Sequence, residues 1–177
     1  MFLMKRVALQ RHKYFHIEFT TAELALLRED KYSLNPASRR GWQVHAYCLM
    51  GNHFHLVIET PQANLVAGMQ WLLSTYTARF NRRHRRFGHL FSGRYKSLVI
   101  DGSGTGYLRT VCEYVHLNPV RAKLLTAEQP LRDYRWSSFG EYLKAPSRRP
   151  LWLRGDRVFG EMGFRRTAQP GGGDSRR

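Results

Sequence analysis

His53 and His55 stand two residues apart around Phe54, at the head of the segment Met50-Gly51-Asn52-His53-Phe54-His55-Leu56-Val57-Ile58-Glu59. On a β-strand alternate side chains share a face, so the two imidazoles project together while Phe54, Leu56 and Ile58 turn into a core. Two adjacent imidazoles can hold one divalent cation, although ordinary half-buried strand histidines would show the same spacing. A second group lies in Tyr114-Val115-His116-Leu117-Asn118-Pro119-Val120-Arg121-Ala122, where Tyr114 and Asn118 are four apart and share a helix face. Opposite a strand-borne metal they read as a nucleophile beside a ligand. A phenol with a pKa near ~10 is a poor nucleophile unaided, but a phosphodiester polarised by a metal demands less of it. A covalent tyrosine link would also conserve the energy of the phosphodiester for rejoining. The structural alternative is a core tyrosine at a helix end, with Asn118 capping ahead of Pro119, which itself disfavours helical geometry at Asn118.

The third group is basic. No acidic residue lies between Thr60 and Ile100, whereas Arg79, Arg82, Arg83, Arg85, Arg86, Arg94 and Lys96 all do, interleaved with Phe80, Phe87, His89, Phe91 and Tyr95. Arginines neutralise phosphates and aromatic rings stack on unpaired bases, a combination suited to single strands or hairpins. The whole chain agrees: Lys+Arg of 29 against Asp+Glu of 13 leaves a net charge of +16, which fits a polyanionic partner better than a small neutral substrate. No apolar run approaches the ~20 residues of a membrane span, and Met1 to Leu9 is too short and interrupted for a secretory signal. Cys48 and Cys112 lie in apolar segments and form no CxxC, so they read as reduced core residues of a cytoplasmic protein.

The elements that must carry these groups follow from periodicity. Thr20 and Glu23 form a capping box ahead of Leu24, Leu26 and Leu27, predicting a short helix that ends before Pro36. Gln43–Leu49 and His53–Glu59 read as two strands of a hairpin around Met50-Gly51-Asn52, closed off by Pro61. Leu65, Met69, Leu72, Leu73, Tyr76 and Phe80 recur at spacings of three and four, the mark of an amphipathic helix covering a sheet face. A strand over Tyr95–Ile100, a flexible connection through Gly102, Gly104 and Gly106, and a helix from about Tyr107 to Leu117 complete the order. The chain divides into an N-terminal segment over 1–40, a core over 41–145, an extension over 146–167 and a disordered tail over 168–177.

Taken together, AYCLMGNHFHLVIETP, LFSGRYKSLVI and EYVHLNPVRAKL resemble the corresponding motifs of the REP-associated tyrosine transposases, which belong to the HUH single-strand DNA transposases of bacteria. The resemblance covers about Gly41 to Tyr142, including Trp136-Ser137-Ser138. It implies an α+β fold with a ferredoxin-like antiparallel sheet and helices on one face, His53, His55 and Asn118 as metal ligands for Mg²⁺ or Mn²⁺, and Tyr114 as the nucleophile. The implied reaction cleaves and rejoins single-stranded DNA at palindromic hairpins through a 5′-phosphotyrosine intermediate. Arg79, Arg82, Arg83, Arg85, Arg86, Arg94, Lys96 and Arg121 would bind the DNA, with the protein a monomer or a homodimer. Relatives begin with a strand leading into an Arg-Gly-Asn turn that this chain lacks. Phe15-His16-Ile17-Glu18-Phe19 could still supply that strand, but the missing turn raises the expectation of an incomplete sheet that binds DNA and cleaves it poorly.

Two other classes compete. One is a DNA-binding protein without catalysis, in which Tyr114 is structural. The other is an HxHxH phosphodiesterase, against which stand Val57 at the third histidine position and a charge of +16. His45, His84, His89 and His116 have no spacing that demands metal, and Glu59 and Asp101 read as structural. Lys96 reads equally as a phosphate contact or a solvated strand residue.

Overall fold

The computed structural model describes residues 13–20, 41–91, 93–100 and 106–161. Four strands, β1 (Lys13–Thr20), β2 (Gln43–Leu49), β3 (His53–Thr60) and β4 (Lys96–Ile100), form one antiparallel sheet in the order β2-β3-β1-β4. The sheet is complete, and the segment before Thr20 is an inner strand of it. The expectation of a missing or damaged first strand, and of poor cleavage on that ground, is therefore overturned. Alternation explains why β1 succeeds without the expected turn: Phe15 and Ile17 are buried on one face, leaving His16 and Glu18 for the other. The helix expected between Thr20 and Pro36, the glycines at 102 and 104, Asp101 and the tail over 168–177 lie outside the described residues.

Helix α1 (Leu65–His84) buries Met69, Leu72, Tyr76 and Phe80 against Phe54, Leu56 and Ile58 of β3 and Phe15 and Ile17 of β1. Helix α2 (Tyr107–Arg121) buries Leu108, Cys112 and Val115 against Ala46, Cys48 and Val57. The α+β class and antiparallel sheet hold, but the placing of helices on one face is corrected. Ile58 and Val57 are consecutive on β3 and point to opposite faces, so the two helices cover opposite sides of the sheet. Both faces are consequently largely apolar along β2 and β3, interrupted on the α2 side by His53 and His55 and at the other end of the hairpin by the buried His45–Glu59 pair.

Helix α2 runs past its expected end to Arg121, through Pro119. Proline cannot donate to the carbonyl four residues back, here that of Val115. Asn118 Nδ2 donates to that oxygen at 3.4 Å and to the Tyr114 oxygen at 3.2 Å, partly replacing the missing bond. The outer edge of β2 is covered by the C-terminal part: Leu49 N–H donates to Trp136 O (2.9 Å), Ser138 N–H to Tyr47 O (3.0 Å) and Arg154 N–H to Val44 O (2.7 Å). Covering an edge in this way blocks pairing with other chains. Cys48 and Cys112 are buried and in no disulfide, as their apolar setting suggests.

Candidate functional site

The hairpin places the histidines. Met50 N–H donates to His53 O (2.8 Å) across Gly51-Asn52, so β3 begins at His53 and both imidazoles fall on the α2 face. Their rings meet edge to face, centroids 5.0 Å apart. Strand pairing adds residues that spacing alone could not identify: Glu18 lies opposite His55, and His16 opposite Val57, one step diagonal to His55. His16 Nε2 and His55 Nδ1 share a hydrogen bond of 3.1 Å. His53 Nδ1 donates to Asn52 Oδ1 at 2.8 Å. Each histidine of the pair is thus held through Nδ1, which leaves Nε2 as the nitrogen not engaged in that bond. His55 Nε2 is buried with no hydrogen-bond partner.

Tyr114 comes from α2, which packs on the same face. Its ring meets His16 at 5.7 Å and His55 at 6.1 Å, both edge to face, and it retains 39% exposure. The Arg121 guanidinium lies over that ring, 4.7 Å from its centroid. Asn118 is buried one turn further along, and because its Nδ2 is committed to backbone oxygens, Oδ1 is the atom it has left to offer a ligand. The structure therefore sets Tyr114 against His55, with His53 on another side of His55, and places Asn118 on the next turn of α2. No group of three or more His, Cys, Asp or Glu in metal-holding geometry occurs among the described residues, so a cation here would draw on the two imidazoles, the Asn118 oxygen and non-protein ligands.

The electrostatics keep the imidazoles neutral. Burial, reinforced by His16 and His53, pushes His55 down to about 3. Burial likewise lowers His53 and His16, with nearby Glu18 opposing it in both. Neutral imidazole is the form that ligates metal. The orphaned Nε2 of His55 and the Nδ1-anchored His53 fit a cation bound by two nitrogens with positions left open.

The basic candidates divide. Arg79, Arg82, Arg83, Arg85, Arg86 and Arg94 are exposed along the end of α1 and the loop after it, with Arg85 in the left-handed conformation (φ 51°) that closes the helix. Arg121 is beside Tyr114. Lys96 is exposed on β4 opposite Glu18, 3.9 Å from its carboxylate, at the rim of the histidine face. The interleaved aromatics are mostly core: Phe80 is buried, while Phe91 and Tyr95 pack against it. Phe87 alone among them is fully exposed, at 99%. Its loop is pinned by Arg86 N–H to Asn81 O (2.9 Å) and Asn81 Nδ2 to Gly88 O (2.9 Å).

Of the lesser histidines, His45 is buried against Glu59 (3.2 Å) and the Arg154 carbonyl (2.9 Å), and His116 against Ser138 Oγ (2.7 Å). Both are structural, as is Glu59. What sequence reasoning missed is His16, although the polar alternation His16-x-Glu18 inside an apolar strand was a visible signal.

Among solved structures, the chain resembles a REP-associated tyrosine transposase bound to a REP hairpin, at 15% identity over 88% of this chain and 93% of that one, with a TM-score of 0.62. A Deinococcus radiodurans protein described as a transposase aligns at 16% identity over 64% of this chain and 95% of that one, with a TM-score of 0.45. No curated protein matches significantly. Residues 7–118, which span β1 to Asn118, match the family described as "Transposase IS200 like", and the chain belongs to that family.

Proposed function

We propose that this protein cleaves and rejoins single-stranded DNA at hairpin elements, with Tyr114 as the nucleophile. The observation that carries the reading is the contact of Tyr114, from α2, with the strand-borne imidazole of His55, which also meets His53 and whose Nε2 is left for a ligand. Tyr114 Oη attacks the scissile phosphorus, the P–O3′ bond breaks, and a 5′-phosphotyrosine and a free 3′-hydroxyl result; the phenolic proton leaves to the solvent that reaches this side chain, and the departing O3′ takes one proton from that solvent. His53 and His55, with Asn118 Oδ1 as third ligand, would hold Mg²⁺ or Mn²⁺, which when bound would neutralise charge on the phosphate. Arg121 fixes the Tyr114 ring and adds positive charge at the same place. Lys96 does so from the sheet rim.

The partner we infer is hairpin DNA, in keeping with the hairpin carried by the structural neighbour. The exposed arginines of α1 and its loop supply phosphate contacts, and Phe87 supplies a face on which an unpaired base can stack. The test is incubation with end-labelled single-stranded hairpin DNA and Mn²⁺ on a denaturing gel, with Tyr114→Phe alongside. An adduct seen in the wild type and lost in Tyr114→Phe supports the reading. Tight binding without an adduct in the wild type overturns the catalytic part and leaves a hairpin-binding protein.

A further inference from the structure

We propose that His16 is a positioning residue: it accepts a hydrogen bond from His55 Nδ1–H and thereby holds His55 as the tautomer whose Nε2 presents a lone pair to the cation. The inference rests on the metal-binding role proposed above for His55. It starts from the bond between His16 Nε2 and His55 Nδ1, 3.1 Å long, with the two rings within 16° of parallel and their centroids 5.3 Å apart. One of the two nitrogens must donate and the other accept. If His55 carried its proton on Nε2, an N–H donor would be buried without a partner, because that nitrogen has none; an orphaned donor of this kind is rare in folded proteins. With the proton on Nδ1 the donor is satisfied by His16, and the orphan is a lone pair, the form a metal requires.

Other features of the site agree. His53 is held in the same sense, its Nδ1 donating to Asn52 Oδ1, so both members of the pair offer Nε2. His16 itself is not placed as a third ligand, since its Nε2 is engaged on His55. It meets the Tyr114 ring in turn in an edge-to-face contact, so that nucleophile, positioning histidine and ligand histidine form one contiguous cluster of rings. Metal-ligating histidines ordinarily donate such a bond to a carboxylate or a backbone carbonyl. Here the diagonal across the β1–β3 pair supplies an imidazole, a neutral acceptor that adds no negative charge next to a phosphodiester.

The test uses the full chain labelled with ¹⁵N-histidine and freed of metal. Long-range ¹H–¹⁵N spectra at pH 7.5 should show His55 protonated at Nδ1. In His16→Ala the signal should move to the Nε2–H tautomer, and Mn²⁺ affinity, read by titration calorimetry, should fall about 10- to 100-fold. His16→Gln, whose amide oxygen accepts the same proton, should restore both. Adduct formation in His16→Ala should be depressed at limiting Mn²⁺ and recover at saturating Mn²⁺. A wild-type His55 protonated at Nε2, or a tautomer and affinity unmoved by His16→Ala, overturns the proposal. If the wild type binds no Mn²⁺, the metal reading fails instead, and the tautomer arm still decides what His16 does to His55.

Discussion

At the residue scale, the site is a matter of which nitrogen and which oxygen are left over. His55 has one ring nitrogen bonded and one buried without a partner, and Asn118 has its amide nitrogen spent on its own helix. Removing the cation should therefore remove the chemistry without unfolding the protein: chelation abolishes adduct formation, Mn²⁺ restores it, and the protein in chelator still melts in one cooperative transition within a few degrees of that in Mn²⁺-containing buffer. Replacing Tyr114 by Phe deletes only the hydroxyl. Adduct formation should fall by a factor on the order of 10⁴ or more while hairpin affinity, measured by gel shift, stays within about twofold. Phe87→Ala should do the opposite, weakening hairpin binding by about 1–3 kcal/mol with adduct formation unchanged at saturating DNA. Unchanged affinity in that variant would remove Phe87 from the interface.

At the element scale, α1 is seated by one close approach. A Cβ on Gly68 would lie 1.8 Å from Trp42 Cζ2, and the indole is buried and anchored by Nε1–H to Asn64 Oδ1 at 2.7 Å. Gly68→Ala gains helix propensity but cannot fit without displacing the ring. The expected outcome is a net loss of about 1–3 kcal/mol in urea unfolding, against the roughly 1 kcal/mol gain that an exposed glycine would show. Helix α2, which carries Tyr114, is held differently, by Leu108, Cys112 and Val115 against the opposite sheet face and by His116 bonded to Ser138. Burial pushes His116 down to about 4 from a usual 6.5. Since the folded state resists protonation and the unfolded state does not, stability is full above pH 6.5 and declines as pH falls toward about 4. His55, pushed down to about 3 by the same cause, acts in the same direction. Urea midpoints measured from pH 8 to 4 should fall below pH 6.5, and His116→Gln should flatten part of that fall.

At the scale of the whole molecule, a charge of +16 sets the range and salt sensitivity of binding rather than its specificity. Were all eight basic candidates at phosphates, log affinity against log salt would have a slope of about −6 to −7. Each Arg→Gln change among Arg82, Arg83, Arg85 and Arg86 should reduce that slope by about one where the residue contacts phosphate, and leave it unaltered where it does not. The two faces of the sheet divide the labour. The basic end of α1 belongs to one face and the histidines with Tyr114 to the other, and β4, with Lys96 at its start, joins the arginine loop to the histidine side. DNA bound by both would pass around that edge.

Local pattern alone determined much of this protein. The apolar runs flanking Met50-Gly51-Asn52 made the hairpin legible, the period of two put His53 and His55 on one face, and three-four periodicity fixed α1, because these signals are written in consecutive residues. The four-residue spacing of Tyr114 and Asn118 likewise put them on one helix. Local pattern could not tell which sheet face each helix would cover, since β2 and β3 are apolar on both sides and either face would bury a helix equally well. Nor could it show that Phe15–Phe19 pairs between β3 and β4, for strand register joins residues some forty positions apart and leaves no trace in either segment. That register alone carries His16 to His55, and with it decides which nitrogen of the central histidine is free.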